Sequence, residues 1–224
     1  MTDQPAVFRK SYAAFLFDMD GTLLSSIAAA ERVWGAWARR HGLDVPTFLP
    51  TIHGVRAEDT IRRQNLDNIN VADEVRWVER SEIDDVEGVH AIDGIVDFLN
   101  ALPDDRWAIV TSATLELATR RLKAAGIHLP ANIVTAEDVK RGKPAPDCFL
   151  LAADRLGVKA SDCLIFEDAP AGIAAAEAAG ADVMVITATH GHPIETQHAT
   201  TASYVDIAIV TDERDRLNVE RRTR

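Results

Sequence analysis

The stretch FLFDMDGTLL sets Asp18 and Asp20 one residue apart where an apolar run ends, and Gly and Thr follow. An isolated Asp-x-Asp is usually a solvated turn. The alternative is a pair of carboxylates at the carboxyl edge of a parallel sheet, where open α/β proteins bind their ligands. Two further apolar runs end in polar groups: WAIVTS in Thr111 and Ser112, and CLIFED in Glu167 and Asp168. The loop RGKPAPD adds Lys143, stiffened by Pro144 and Pro146. Clustered carboxylates repel unless a divalent cation neutralises them, and an all-oxygen donor set suits Mg²⁺. Asp18, the backbone carbonyl of Asp20 and Asp168 would supply that set, with Glu167 bound through water or standing behind it. Lys143, the hydroxyls of Thr111 and Ser112 and free backbone N–H groups would hold a phosphate opposite the metal. The chemistry implied is phosphoryl transfer.

Such groups need a scaffold that brings strand ends together. AAFLFD, WAIVT, CLIFED and ADVMVIT are short apolar runs bounded by turn residues and separated by helical pattern, as buried parallel strands with crossover helices are. LELATRRLKAAG and APDCFLLAADRLG are helices closed by Gly126 and Gly157, and APAGIAAAEAAG starts near Pro170 and ends at Gly180. The fold class is α/β, a doubly wound parallel-sheet core. Residues 25–88 break the alternation. There SIAAAERVWGAWARRHG puts Ile27, Ala30, Val33, Trp34, Trp37, Ala38 and His41 on one helical stripe, and AEDTIRRQ and VADEVRWVERSEI continue the helical pattern. This predicts a helical insertion after the first strand, with Trp34 and Trp37 in its own small core. The tail ERDRLNVERRTR reads as a frayed or solvated end.

Composition narrows the function classes. The 224 residues carry 24 basic and 35 acidic side chains, a net charge of −11, which leaves no basic excess for nucleic acid or an acidic membrane. Cys148 and Cys163 are too few for a disulfide framework and lack metal-ligand spacing. Buried neutral thiols, an N-terminus without the core of a signal peptide and no long apolar run together suggest a cytoplasmic protein.

In order and spacing, DMDGTL, the VTSA strand end, GKPAPD and FEDAPAGI resemble the four motifs of haloacid dehalogenase-like hydrolases, over residues from about 13 to 190. The resemblance implies a Rossmann-like core, residues 1–24 and 89–224, with the helical cap over 25–88. It makes Asp18 the nucleophile that becomes an aspartyl-phosphate and Asp20 the acid that protonates the alcohol, then the base for water. Lys143 matches the phosphate-binding lysine. AERVWGAWARRHGL, TIHGVRAED and VTAEDVKRGKPAPD look most like the phosphosugar and polyol phosphatases of that family, among them deoxyglucose-6-phosphate and glycerol-phosphate phosphatases. In TIHGVRAED, His53 and Arg56 fall where a cap loop facing the site would bind phosphate or sugar hydroxyls. His90, His190 and His192 read as solvated loop residues. The expected activity is Mg²⁺-dependent hydrolysis of a small phosphorylated sugar or polyol, by a monomer or weak homodimer with no nucleic acid and no membrane. A β-phosphoglucomutase-like phosphomutase is the runner-up. It is weakened by Ser25 where many such relatives have Asp, and by the lack of a following His. A non-catalytic phosphosugar-binding regulator would have lost the nucleophile, acid or lysine, and all three are present.

Overall fold

A computed structural model describes residues 7–191 and 194–222 of the chain. The run AFLF forms β1 (Ala14–Phe17), fully buried, and the chain then turns through Asp18–Thr22 into the two-residue strand β2 (Leu24–Ser25). Four helices follow: α1 (Ile27–Arg40), α2 (Val45–Phe48), α3 (Ala57–Arg63) and α4 (Val71–Asp84). Their starts are set by local chemistry. The Asp44 side chain accepts from the Thr47 N–H before α2, and the Asn70 side chain accepts from the Ala72 and Asp73 N–H groups before α4. Trp34 and Trp37 pack with Val33, Phe48, Ile61 and Val78 in a cluster whose members all fall within residues 30–78, the helices and the turns between them.

The chain returns through β3 (His90–Ala91), which pairs antiparallel with β2, so the strands into and out of the helical segment lie side by side. Next come α5 (Ile95–Asn100), β4 (Trp107–Val110), α6 (Leu115–Ala124), β5 (Ile133–Val134), α7 (Asp147–Arg155), β6 (Cys163–Glu167), α8 (Pro170–Ala178), β7 (Asp182–Ile186) and β8 (Ala199–Thr201). The four strands expected from apolar runs are β1, β4, β6 and β7. They are joined by β5 and β8 in one parallel sheet of order β5-β4-β1-β6-β7-β8.

Side chains alternate across that sheet. Phe15, Phe17, Leu164 and Phe166 pack with Ile95 and Phe98 of α5 and Leu122 of α6 on one face. Ala14, Leu16, Val110 and Ile165 pack with Phe149 of α7 and Ile173 of α8 on the other. Helices on both faces make the sheet doubly wound. Its central strand, β1, has β4 on one side and β6 on the other, so the order reverses at β1 and a crevice opens beyond its carboxyl end.

The tail corrects an expectation. Instead of fraying, LNVER forms β10 (Leu217–Arg221), antiparallel to β9 (Ile207–Thr211), and Leu217 and Val219 are fully buried. Tyr12 bridges to Leu217 through paired backbone hydrogen bonds. The alternation Leu-x-Val, hidden among charges, is the strand signal that the charged composition masked. Residues 223 and 224 lie outside the described residues.

Candidate active site

Register decides what meets. Phe17 is level with Ile109 of β4 and Phe166 of β6, so the residues just beyond, Asp18, Val110 and Glu167, lie abreast at the carboxyl edge. The Asp18 N–H donates to the Phe166 carbonyl at 2.9 Å, continuing the ladder for one residue. Asp18, Thr111, Glu167 and Asp168 are all buried there.

Lys143 enters from the loop before α7 and is itself 2 % exposed. Its Nζ donates to Asp18 Oδ1 at 2.5 Å, Glu167 Oε1 at 2.7 Å and the Val110 carbonyl at 3.1 Å. The other Glu167 oxygen, Oε2, accepts from the N–H groups of Asp168 and Ala169 at 2.8 and 2.9 Å. Glu167 is thus committed to holding the lysine and the start of α8. Asp168 accepts the Thr22 hydroxyl at Oδ1, 3.3 Å away.

Two glycines make these approaches possible. A Cβ at Gly21, where φ is +87°, would fall 1.9 Å from Asp168 Oδ2. A Cβ at Gly172 would fall 1.5 Å from Glu167 Oε1. The carboxylates occupy the space that any side chain there would fill.

Burial raises Asp18, and Glu167 adds to the rise against the opposing pull of Lys143. Burial, then repulsion from Glu167 and Asp18, drives Asp168 up as well. Burial works against the Lys143 ammonium, yet Asp18 and Glu167 hold it above its ordinary range.

The donor set suits a hard cation. Oxygens of Asp18, Glu167 and Asp168 come within 4.8 Å of one another. Oδ2 of Asp18 and Oδ2 of Asp168 accept no hydrogen bond from the described residues. Buried, mutually repelling carboxylates with free lone pairs are the arrangement that a divalent ion relieves.

Asp20 stands apart, at the edge of a cavity of about 250 Å³ lined also by Asp18, Thr111, Ser112, His53, Arg56 and Asp168. Its Oδ1 accepts from Ser26 Oγ at 2.6 Å and Arg121 Nη1 at 3.1 Å. Thr111 Oγ1 accepts from the Ala113 N–H and keeps its own proton free. Ser112 instead donates its hydroxyl to the Gly54 carbonyl at 3.0 Å, joining the site to the loop before α3. In this arrangement that hydroxyl has no proton left for a phosphate.

His53 is half-buried without a hydrogen-bond partner among the described residues, and burial lowers its pKa. The Arg56 guanidinium is taken by Asp59 at 2.8 Å and by the carbonyls of Val139 and Lys140 at 3.3 and 3.2 Å. It straps the α3 segment to the loop that carries Lys143. His190 corrects a second expectation: it is half-buried and its Nε2 lies 3.0 Å from the Asp168 carbonyl, rather than in solvent. His90 is exposed as expected but stands in β3, paired with Ser25, rather than in a loop, and His192 lies outside the described residues.

Sequence reasoning missed Arg121, Ser26 and Glu82. The signal for Arg121 was present in LELATRRLKAAG, because Leu117, Ala118, Arg121 and Leu122 form the buried stripe of α6. A charge at a stripe position marks a buried, paired role.

A family model described as haloacid dehalogenase-like hydrolase matches residues 12–180. The chain is a haloacid dehalogenase-like hydrolase. Hexitol phosphatase A of Escherichia coli (strain K12) is 43% identical to this hydrolase over 183 residues, covering 80% of this chain and 85% of that one. Glycerol-1-phosphate phosphohydrolase 2 of Saccharomyces cerevisiae is 34% identical over 196 residues, covering 79% and 75%. Among solved structures, a β-phosphoglucomutase from Clostridium difficile shares the fold with a TM-score of 0.74 at 20% identity, over 86% of this chain and 91% of that one.

Proposed function

We propose that this hydrolase is a Mg²⁺-dependent phosphatase of small phosphorylated sugars or polyols that works through a phosphorylated Asp18. One observation carries it: Asp18 ends the central strand in contact with Lys143, and Asp20 lies two residues on, in the same cavity. The relatives named above support the substrate class, since both are phosphatases of small polyhydroxylated compounds by name.

An Asp18 carboxylate oxygen attacks phosphorus as the ester P–O bond breaks. The bonding pair leaves with the alcohol oxygen, which takes a proton from Asp20. Water then attacks the phosphorus, Asp20 accepts its proton, and the pair of the acyl phosphate bond returns to Asp18. Lys143 fixes Asp18 and offsets charge on the phosphoryl group, with the Thr111 hydroxyl as a further donor. Mg²⁺, held by Asp18, the Asp20 carbonyl and Asp168 with Glu167 behind them, would supply positive charge against the phosphoryl oxygens. Residues 25–88 act as the cap, hinged at the β2–β3 ribbon, and shut the cavity during transfer.

A panel of hexose, hexitol and glycerol phosphates, nucleotides and phosphoglycolate, assayed with Mg²⁺ for free phosphate, tests the assignment. Release from polyol or sugar phosphates is expected, absent in Asp18→Asn and silenced by chelation. Product NMR showing isomerised sugar phosphate ahead of free phosphate would overturn hydrolysis in favour of a mutase.

A further inference from the structure

Among the described residues, Arg121 is the one arginine in the buried set, 4 % exposed on the last turn of α6. Its Nη1 donates to Asp20 Oδ1 at 3.1 Å and its Nη2 to Glu82 Oε1 at 2.8 Å, while its Nε–H has no partner. Glu82 lies on α4, in the inserted helices, and is buried too.

Stability alone is a poor reason for this arrangement. Buried ion pairs are commonly replaced by apolar residues without loss, and an unpaired buried N–H costs free energy. The geometry at Asp20 suggests another reason. Ser26 and Arg121 both donate to Oδ1, and Oδ2 accepts no hydrogen bond from the described residues. Two donors on one oxygen fix the rotation of the carboxyl and leave the other oxygen for chemistry.

We infer that Arg121 is a positioning residue that holds the Asp20 carboxyl with Oδ2 toward the leaving-group oxygen, and that Glu82 of α4 holds Arg121 in place. The chain Glu82–Arg121–Asp20 then links the inserted helices to the acid of the reaction, so that proton delivery depends on α4 being seated. The inference rests on the reading that Asp20 protonates the departing alcohol. A planar fork suits the task, because it reaches two acids at once where an ammonium acts as a point charge.

The experiment compares kcat/KM for glycerol phosphate with kcat/KM for p-nitrophenyl phosphate. This constant covers the steps through P–O cleavage, and nitrophenolate leaves without a proton whereas an alkoxide needs one. Asp20→Asn sets the scale and should lower the alkyl-to-aryl ratio. In Arg121→Met the ratio should fall by at least about tenfold, within the range that general acid assistance supplies. Damage to the fold would lower both constants together and leave the ratio alone. Arg121→Lys keeps the buried charge and guards against a variant that does not fold. It should lower the ratio as well, since one ammonium cannot hold both acids. Glu82→Ala, which removes the α4 end of the chain, should move the ratio the same way by less. A wild-type ratio in both Arg121 variants, with Asp20→Asn reduced, would overturn the inference and leave the phosphatase assignment standing. A wild-type ratio in Glu82→Ala alone would overturn the link to α4. An unreduced ratio in Asp20→Asn would remove the acid role of Asp20, and this inference with it.

Discussion

Lys143 and Asp18 meet at 2.5 Å beneath the surface, the lysine side chain 1 % exposed and the aspartate 5 %. A surface pair of this kind would contribute little. Here neither partner can turn to water, so removing the cation leaves both Asp18 and Glu167 without their counter-charge. Lys143→Met should therefore lose about 3–4 kcal/mol of transition-state stabilisation, as other preorganised donors do. The exposed Lys123→Ala should lose none. Steady-state kinetics on both variants is the check, and a loss below about tenfold for Lys143→Met would remove the lysine from the phosphoryl site.

Gly21 gives a test of the Asp168 carboxylate that does not replace Asp168. A methyl group at Gly21 would sit 1.9 Å from Asp168 Oδ2 and must displace it. Gly21→Ala should raise the Mg²⁺ concentration for half-maximal activity by about 10- to 100-fold, as disturbed metal-site neighbours do. Gly42→Ala is the control. It shares positive φ, at +69°, but nothing lies within 4 Å of its Cβ, so it should cost only about 1–2 kcal/mol of stability. Equal metal dependence in the two variants would show that Asp168 is not a ligand.

Raised carboxyls make the metal-free protein sensitive to pH with a definite sign. Burial raises Asp18 and Asp168, so the folded state binds their protons more tightly than the unfolded chain does. Their protonated forms are favoured in the fold, and stability falls as pH rises above the ordinary carboxyl range, by no more than about 1.4 kcal/mol per unit for each group. Mg²⁺ binds the deprotonated carboxylates and should offset the fall. Urea unfolding in chelator should show the midpoint dropping between about pH 5 and about pH 8, and the gain from added Mg²⁺ growing over that range. A Mg²⁺ gain that is the same at both ends would contradict a metal site built on Asp18 and Asp168.

What the sequence made legible was whatever it encoded locally and repeated. Runs of buried strand, helix stripes, and Asp18, Lys143, Glu167 and Asp168 in ordered motifs all lead to the observed sheet and its edge. The weaker elements escaped. β5 is two residues long and β8 reads ATT, too short and too polar for a periodicity to register. β10 is held by pairing with β9 and by burial of Leu217 and Val219, which depend on a distant Tyr12. Arg121 was hidden differently: its partners, Asp20 and Glu82, lie 101 and 39 residues away, and only the tertiary fold brings them to one guanidinium.

His53 and Arg56, read alike from TIHGVRAED, are separated by the structure into two roles. Arg56 spends its donors on Asp59 and on two carbonyls of the loop leading to Lys143. Gly142 leaves room for it, since a Cβ there would lie 2.5 Å from Arg56 Nε. Losing that strap loosens the seating of the α3 segment over the cavity whatever the substrate, so Arg56→Ala should raise KM for glycerol phosphate, hexitol phosphates and p-nitrophenyl phosphate to a similar degree. His53 lines the same cavity with no hydrogen-bond partner among the described residues, and burial disfavours its charged form. A neutral imidazole has one donor and one acceptor to offer a sugar hydroxyl. His53→Ala should therefore weaken kcat/KM for hydroxyl-bearing substrates by about fivefold to tenfold, the worth of about one hydrogen bond, and leave p-nitrophenyl phosphate much less affected. Michaelis constants measured on the three substrates separate the cases. If Arg56→Ala spares the aryl ester while His53→Ala does not, the two roles are reversed, and Arg56 must leave its carbonyl partners to meet the substrate.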